Sequence, residues 1–303
     1  MAARTTIDWE KTFTAWTKPS SDTEKEKYEH AESMIRDAIR ANSWLADKVV
    51  AVYAKGSYAN NTNVRLDSDV DICVEASCFF FDHSAVPSFS AGAAGIVEPC
   101  GYTFADYKNE IERALVTKFG RAGVTRGDKA FDVHANSYRV DADVVACWGH
   151  RRYVDGYNCI QPTGTEFYSD SAKQVINWPR QQYDNGVAKN NVTGGRFKLI
   201  TRAVKRLRNE MTEERIGAAD PMASYLIECL MWKVPNECFG HDTYSADIRD
   251  AFIHLYNATT SEDTCSEWVE INELKYLFRS SQPWTRDQAN GFVLAAWRYV
   301  GFE

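Results

Sequence analysis

Apolar and polar positions alternate along this chain in two periods, and the periods divide it into helices and strands. From about Ser21 to Asn42, Tyr28, Ala31, Met34, Ile35, Ala38 and Ile39 are spaced for one buried face. That spacing predicts an amphipathic helix with Ser21 or Asp22 as its cap. The apolar run Val49 to Ala54 predicts a strand, and Val70 to Ala76 predicts a second. Residues 78–101 are rich in Ser, Ala, Gly and Pro and read as an insertion or loop, with Phe79-Phe80-Phe81 needing cover at its start. A second helix is predicted from about Phe104 to Phe119, with Tyr107, Ile111, Leu115 and Phe119 on one face. Ala130 to Cys147 reads as two strands joined near Asn136-Ser137.

From His150 onward the pattern reads as helical, with a break at Trp178-Pro179-Arg180 and a turn at Asn185-Gly186. The helix from Gly195 to Met211 carries a core stripe of Phe197, Ile200, Val204, Leu207 and Met211. Lys198, Arg202, Lys205 and Arg208 share the face beside it. Pro221 to Glu228 opens another helix, and the tail to Glu303 is helical and rich in aromatic residues. These alternate with apolar helix positions and lack interleaved basic runs, so they read as packing residues rather than a stacking platform for nucleic acid.

Acidic residues interrupt the strands at the strand period. After Gly56-Ser57, Asp69 and Asp71 stand two apart at the start of an apolar run, so both point off one face. Asp141 and Asp143 repeat the arrangement in a later strand. Paired carboxylates repel unless a cation lies between them, and hard oxygen donors suit a divalent metal. Gly56 lets the backbone approach a phosphate, and the Ser57 hydroxyl can bond its oxygens. Phosphate held beside a carboxylate-bound metal is an arrangement for phosphoryl transfer. The bland alternatives are a surface turn at Asp67-Ser68-Asp69, a salt bridge from the later acids to Arg139 or Arg151, and a solvated basic face on the 195–211 helix.

The chain has 303 residues and a formal net charge of −7. That length suits one large domain or two intimate lobes. Net acidity argues against a broad grip on duplex nucleic acid and favours nucleotides as small molecules. Met1 to Lys18 is polar, and no apolar run is long enough to span a bilayer, so a cytoplasmic protein without membrane attachment is expected. The eight cysteines form no Cys-x-x-Cys pair and mostly lie in apolar runs. They read as buried reduced thiols rather than a zinc site or disulfide framework.

Gly-Ser followed about a dozen residues later by Asp-x-Asp resembles the signature of the DNA polymerase β-like nucleotidyltransferases. The resemblance narrows with Gly56-Ser57-Tyr58, Asn61-Thr62-Asn63-Val64-Arg65, Val140 to Val145, Asn177-Trp178-Pro179, Arg196-Phe197-Lys198 through Lys205, and Ser224-Tyr225. In that order they resemble the oligoadenylate synthase and cyclic GMP-AMP synthase group, and most closely its bacterial branch, the cGAS/DncV-like nucleotidyltransferases or CD-NTases. Ala146 stands where many relatives have proline.

The resemblance implies an α/β fold: a polymerase β-like catalytic lobe with a mixed sheet over residues 1–165, and a helical lobe over 166–303 closing a nucleotide cleft. It implies Asp69, Asp71 and Asp143 as catalytic metal ligands for two magnesium ions, with manganese as a substitute. Gly56, Ser57, Arg202, Lys205 and Ser224 would bind phosphates, Tyr225 would stack on a base, and Asn177 would read a base edge or else cap a turn. The implied activity joins nucleoside triphosphates into a cyclic di- or trinucleotide with release of pyrophosphate. The product would act on a separate effector protein in anti-phage signalling, with no obligate nucleic acid and a regulatory partner left open. Linear transfer to RNA or protein, or a non-catalytic nucleotide-binding protein, are the alternatives.

Overall fold

The chain divides into two compact units, one built on a sheet and one on helices. The computed structural model describes residues 6–64, 69–82, 100–153 and 159–302. Most of the Cys78 to Gly101 loop expected from sequence lies outside those residues, as do Arg65 to Ser68.

The sheet unit comprises residues Ser21–Ala59 and 69–180. Its strands are β1 (Val49–Ala54), β2 (Val70–Asp82), β3 (Val124–Arg126), β4 (Phe131–Val133), β5 (Ala142–Tyr153), β6 (Cys159–Tyr168) and β7 (Gln174–Asn177). They run in the order β1-β2-β5-β4-β3, with β6 on β5 and β7 on β6. Among the described residues only β2 and β5 are parallel; the other pairs are antiparallel, so the sheet is mixed.

Alternation sends Val70, Ile72 and Val74 of β2, with Ala142, Val144 and Ala146 of β5, into one core. Two helices of the same unit cover that core: α2 (Asp22–Ala41) through Ile35, Ala38 and Ile39, and α4 (Phe104–Phe119) through Tyr107, Ile111 and Leu115. Both helices start at capping boxes, Ser21 with Glu24 and Thr103 with Asp106. Each box satisfies backbone N–H groups that a helix end leaves orphaned.

The opposite face of β2 and β5 carries Asp71, Cys73, Asp143, Val145 and Cys147. Between residues 150 and 178 the helical expectation fails, because the sheet continues through β6 and β7. Pro162, Thr163 and Gly164 hide the strand alternation in sequence. Gly164 is there for a close approach: a Cβ on it would lie 2.7 Å from the Asn177 carbonyl oxygen and 2.9 Å from Trp178 Nε1.

Cys73 pairs with Cys147 and Cys78 with Cys100 as disulfides, which corrects the expectation of reduced thiols. Cys73 and Cys147 lie on the neighbouring strands β2 and β5, a proximity that sequence spacing does not report. Cys229, Cys238 and Cys265 are free.

The helical unit comprises residues 6–20, 60–64 and 181–302 among those described. After α3 (Gly56–Ala59) in the sheet unit, the remaining helices are α1 (Thr6–Trp16), α5 (Pro179–Val192), α6 (Arg196–Glu213), α7 (Ser224–Lys233), α8 (Tyr244–Thr259), α9 (Glu262–Cys265) and α10 (Arg286–Val300). Pro179 opens α5, where its missing N–H is harmless. Asn185-Gly186 lies inside that helix rather than in a turn: the Asn185 amide donates to the Ile271 carbonyl at 2.6 Å.

Trp9 and Phe13 of α1, the α6 stripe, and Phe252 and Phe292 of α8 and α10 form one core. The tail aromatics Trp232, Trp268, Phe278 and Trp297 pack against it. The sequence division at residue 165 falls inside β6, whereas the compact sheet unit extends to Arg180. Among the described residues no helix is long and apolar enough to cross a membrane.

Candidate active site

Strand β1 delivers the chain to Gly56, and the Lys55 N–H donates to the Asp71 carbonyl at 2.8 Å, tying the turn to β2. Gly56 has φ +68°, and a Cβ there would lie 2.3 Å from Asp71 Oδ2. Both the left-handed backbone and the carboxylate beside it demand glycine. Gly56-Ser57 opens the short helix α3, and Ser57 is half-buried in it.

The parallel register of β2 and β5 sets Asp71 opposite Asp143, and the antiparallel register of β4 and β5 sets Asp132 opposite Asp143. Residues opposite one another share a face, so these carboxylates form a row across the sheet. Asp69 stands two positions before Asp71 and is exposed. Asp141 is engaged elsewhere, accepting the Ala135 N–H at 2.6 Å. Asp132 was not among the sequence candidates. Its signal was the apolar-acid-apolar triplet Phe131-Asp132-Val133, too short to stand out.

Burial, then the carboxylates of Asp71, Asp69 and Asp132, push Asp143 up to about 6, with a partial offset from the Lys55 ammonium. Burial, with Asp141 and Asp132 adding to it, also raises Asp69. Lys55, to which the sequence reading gave no role, is pushed down by burial and drawn back up by Asp71 and Asp143. The site therefore holds more negative charge than its neighbouring lysine balances, which is the donor chemistry a hard divalent cation fits. Among the described residues no three acidic, histidine or cysteine side chains converge as a preformed metal cage would. The fit thus rests on charge and donor type.

Asn177 ends β7, opposite Thr165 of β6, and is half-buried. In the helical unit, Ser224 is exposed at the first position of α7, where its hydroxyl accepts from Arg208 Nη2 at 2.8 Å. Arg208 Nη1 donates to the Met222 carbonyl at 2.7 Å. Tyr225 is half-buried, edge-on to Trp284, and its hydroxyl donates to Glu270 Oε2 at 3.0 Å.

Arg202 and Lys205, expected at phosphates, are instead buried at 3% and 1% exposure. Arg202 Nε donates to the Thr17 carbonyl at 2.8 Å, and its Nη1 donates to the Asn61 carbonyl. Lys205 Nζ donates to the Thr62 carbonyl at 3.0 Å and pairs with Glu228. A helical wheel identifies the face these cations occupy but not what that face meets.

A carboxylate row on a mixed sheet, a glycine turn against it and a separate helical unit define a nucleotidyltransferase. The nucleotidyltransferase domain family matches residues 35–118, and the cGAS/DncV-like nucleotidyltransferase C-terminal helical domain matches residues 184–301. The cyclic dipyrimidine nucleotide synthase CdnE of Legionella pneumophila is 49% identical over 97% of this chain and 98% of its own length. The enzyme of the same name from Cecembia lonarensis is 41% identical over 96% of this chain and 97% of its own. Among solved structures, the Elizabethkingia meningoseptica CdnE cyclic dinucleotide synthase with GTP and Apcpp matches with a TM-score of 0.80 at 31% identity, over 97% of this chain and 99% of that one. The chain belongs to the cGAS/DncV-like nucleotidyltransferase family, enzymes that synthesise cyclic oligonucleotides.

Proposed function

We propose that this enzyme joins two pyrimidine nucleoside triphosphates into a cyclic dinucleotide, releasing pyrophosphate at each transfer. The observation that carries the reading is the in-register pair Asp71 and Asp143 on adjacent parallel strands, with Gly56 against the first carboxylate. Asp69, Asp71 and Asp143 would hold divalent ions, magnesium or manganese, which when bound activate the attacking hydroxyl and offset charge on the leaving pyrophosphate. Asp143, beside Asp71, accepts the proton of the attacking hydroxyl. Gly56 and Ser57 bind phosphate oxygens through backbone and hydroxyl groups, and Ser224, oriented by Arg208, is a second phosphate contact.

Pyrimidine choice is supported by the names of the relatives that are 49% and 41% identical. Asn177 is the base reader in this account: its amide offers both a donor and an acceptor, as a pyrimidine edge requires. Tyr225 stacks on a base through its ring while Glu270 holds its hydroxyl. The product acts on a separate effector in anti-phage signalling, within the cytoplasm.

The test incubates the purified protein with all four ribonucleoside triphosphates and magnesium or manganese, then applies phosphatase and mass spectrometry. A phosphatase-resistant cyclic dipyrimidine, absent from the Asp69→Ala/Asp71→Ala control, is the expected product. A linear product, or one containing only purines, would overturn the reading.

A further inference from the structure

Residues 60–64 pack within the helical unit, although α3 before them and β2 beyond them belong to the sheet unit. They form no helix or strand beyond the end of a turn, yet Asn60, Thr62, Asn63 and Val64 are each at most 5% exposed. Irregular backbone at that burial needs partners for its polar groups.

Charged side chains of α6 and α7 supply them. Asn61 takes the left-handed conformation, φ 53°, and its carbonyl accepts from Arg202. Both polar ends of Thr62 are used: its hydroxyl donates to Glu228 Oε1 at 2.7 Å, and its carbonyl accepts from Lys205 Nζ at 3.0 Å. Lys205 pairs with the same Glu228 oxygen, and Gln182 donates to the other at 3.4 Å. Asn63 donates to Ser20 Oγ. A buried ion pair is poor at stabilising a fold relative to apolar packing, but it can specify one arrangement of the groups it bonds.

We propose that Arg202, Lys205 and Glu228 are positioning residues for the transfer reaction. They fix residues 60–64, which follow the Gly56-Ser57 turn and α3 directly in the chain, so that the turn leads into a held segment. An unfixed segment would keep its backbone entropy, to be lost at every productive encounter. This assignment rests on the proposed reaction, but it removes Lys205 and Arg202 from phosphate contact: at 1% and 3% exposure their charged groups meet carbonyls and a carboxylate instead.

Two variants test the proposal. Thr62→Val keeps the shape and deletes the hydroxyl that Glu228 accepts. Lys205→Met/Glu228→Leu replaces the ion pair with apolar groups of similar size, a change that folds tolerate. In both, kcat falls between about tenfold and about a hundredfold, as misplacement of reacting groups does, while KM for the triphosphates stays within about twofold. Thr62→Ser restores kcat. Hydrogen exchange, which needs no turnover, shows amides 60–64 losing protection while those of α6 keep theirs.

A rise in KM at unchanged kcat would return Lys205 to the phosphates. Unchanged kcat, or unchanged exchange at residues 60–64, would leave the cluster a structural pair alone. Each of these results overturns the proposal. A wild-type enzyme that makes no cyclic product would instead sink the proposed reaction, leaving the exchange result to judge the clamp separately.

Discussion

Two regions of this enzyme carry charge at regular spacing, and the structure uses them in opposite ways. On β2 and β5, aspartates at period two lie in a row that the nearby Lys55 offsets in part, so their charge accumulates and Asp143 is pushed up to about 6. On α6, two cations at helical spacing are taken up within the fold: Lys205 pairs with Glu228 and donates to the Thr62 carbonyl, and Arg202 donates to the carbonyls of Thr17 and Asn61. In the proposed reaction, the accumulated charge marks where an ion and a triphosphate would be received. Buried charge bonded to backbone carbonyls and a carboxylate marks where the chain itself is being held. Spacing alone does not separate the two, whereas partners do.

The comparison is broken most severely at the row itself. Asp71→Asn should lower pyrophosphate release at least about a thousandfold, since a metal ligand contributes several kcal/mol to the transition state and each tenfold in rate is about 1.4 kcal/mol. Release within tenfold of wild type would remove Asp71 from the reaction. Gly56→Ala comes next: its Cβ would fall 2.3 Å from the Asp71 carboxylate. A kcat loss of about a hundredfold is expected from the displaced carboxylate, with a melting temperature lowered by the strained φ. A Gly56→Ala enzyme of normal kcat would show that Asp71 has room to move.

A smaller effect is expected at Ser224, which is exposed and accepts from Arg208. Ser224→Ala should raise KM for the triphosphate several-fold, in keeping with one lost hydrogen bond of about 1–1.5 kcal/mol, and leave the melting temperature unchanged. A kcat loss without a KM change would place Ser224 outside the phosphate contacts.

The smallest effect is in stability against pH. A carboxyl raised in the folded state favours the protonated fold, so its contribution is complete below about 4 and is lost as pH rises through about 6. In metal-free protein, the melting temperature of Asp143→Asn relative to wild type should therefore climb between pH 4 and 6 and level off above. Magnesium should stabilise wild type more at pH 7 than at pH 5, because ligands must be deprotonated. A difference between the two proteins that is flat across this range would contradict the raised value.

What the sequence made legible follows the same division. Period two paired Asp69 with Asp71 and Asp141 with Asp143, and period 3.6 found α2 and α4 with their buried residues, because these patterns are properties of one segment. The partners of a segment are not. Strands β6 and β7 were missed because the stretch from His150 reads as helical along the chain, whereas Gly164 is where β7 presses close. Cys73 and Cys147 looked like core thiols because nothing along the chain reports that β2 and β5 are neighbours. Asp132 was invisible for the same reason: its meaning comes from standing opposite Asp143. Thr62 and Glu228 form a pair across 166 positions, which no local period could reveal.

The central claim, that the carboxylate row performs the chemistry and costs the fold stability to maintain, is tested most directly by one comparison. Pyrophosphate release and thermal melting are measured side by side for wild type and Asp143→Asn at pH 7 without and with magnesium. The account predicts that Asp143→Asn melts at or above wild type without metal, gains less from magnesium, and releases no pyrophosphate above background. An Asp143→Asn enzyme that releases pyrophosphate at close to the wild-type rate would contradict it.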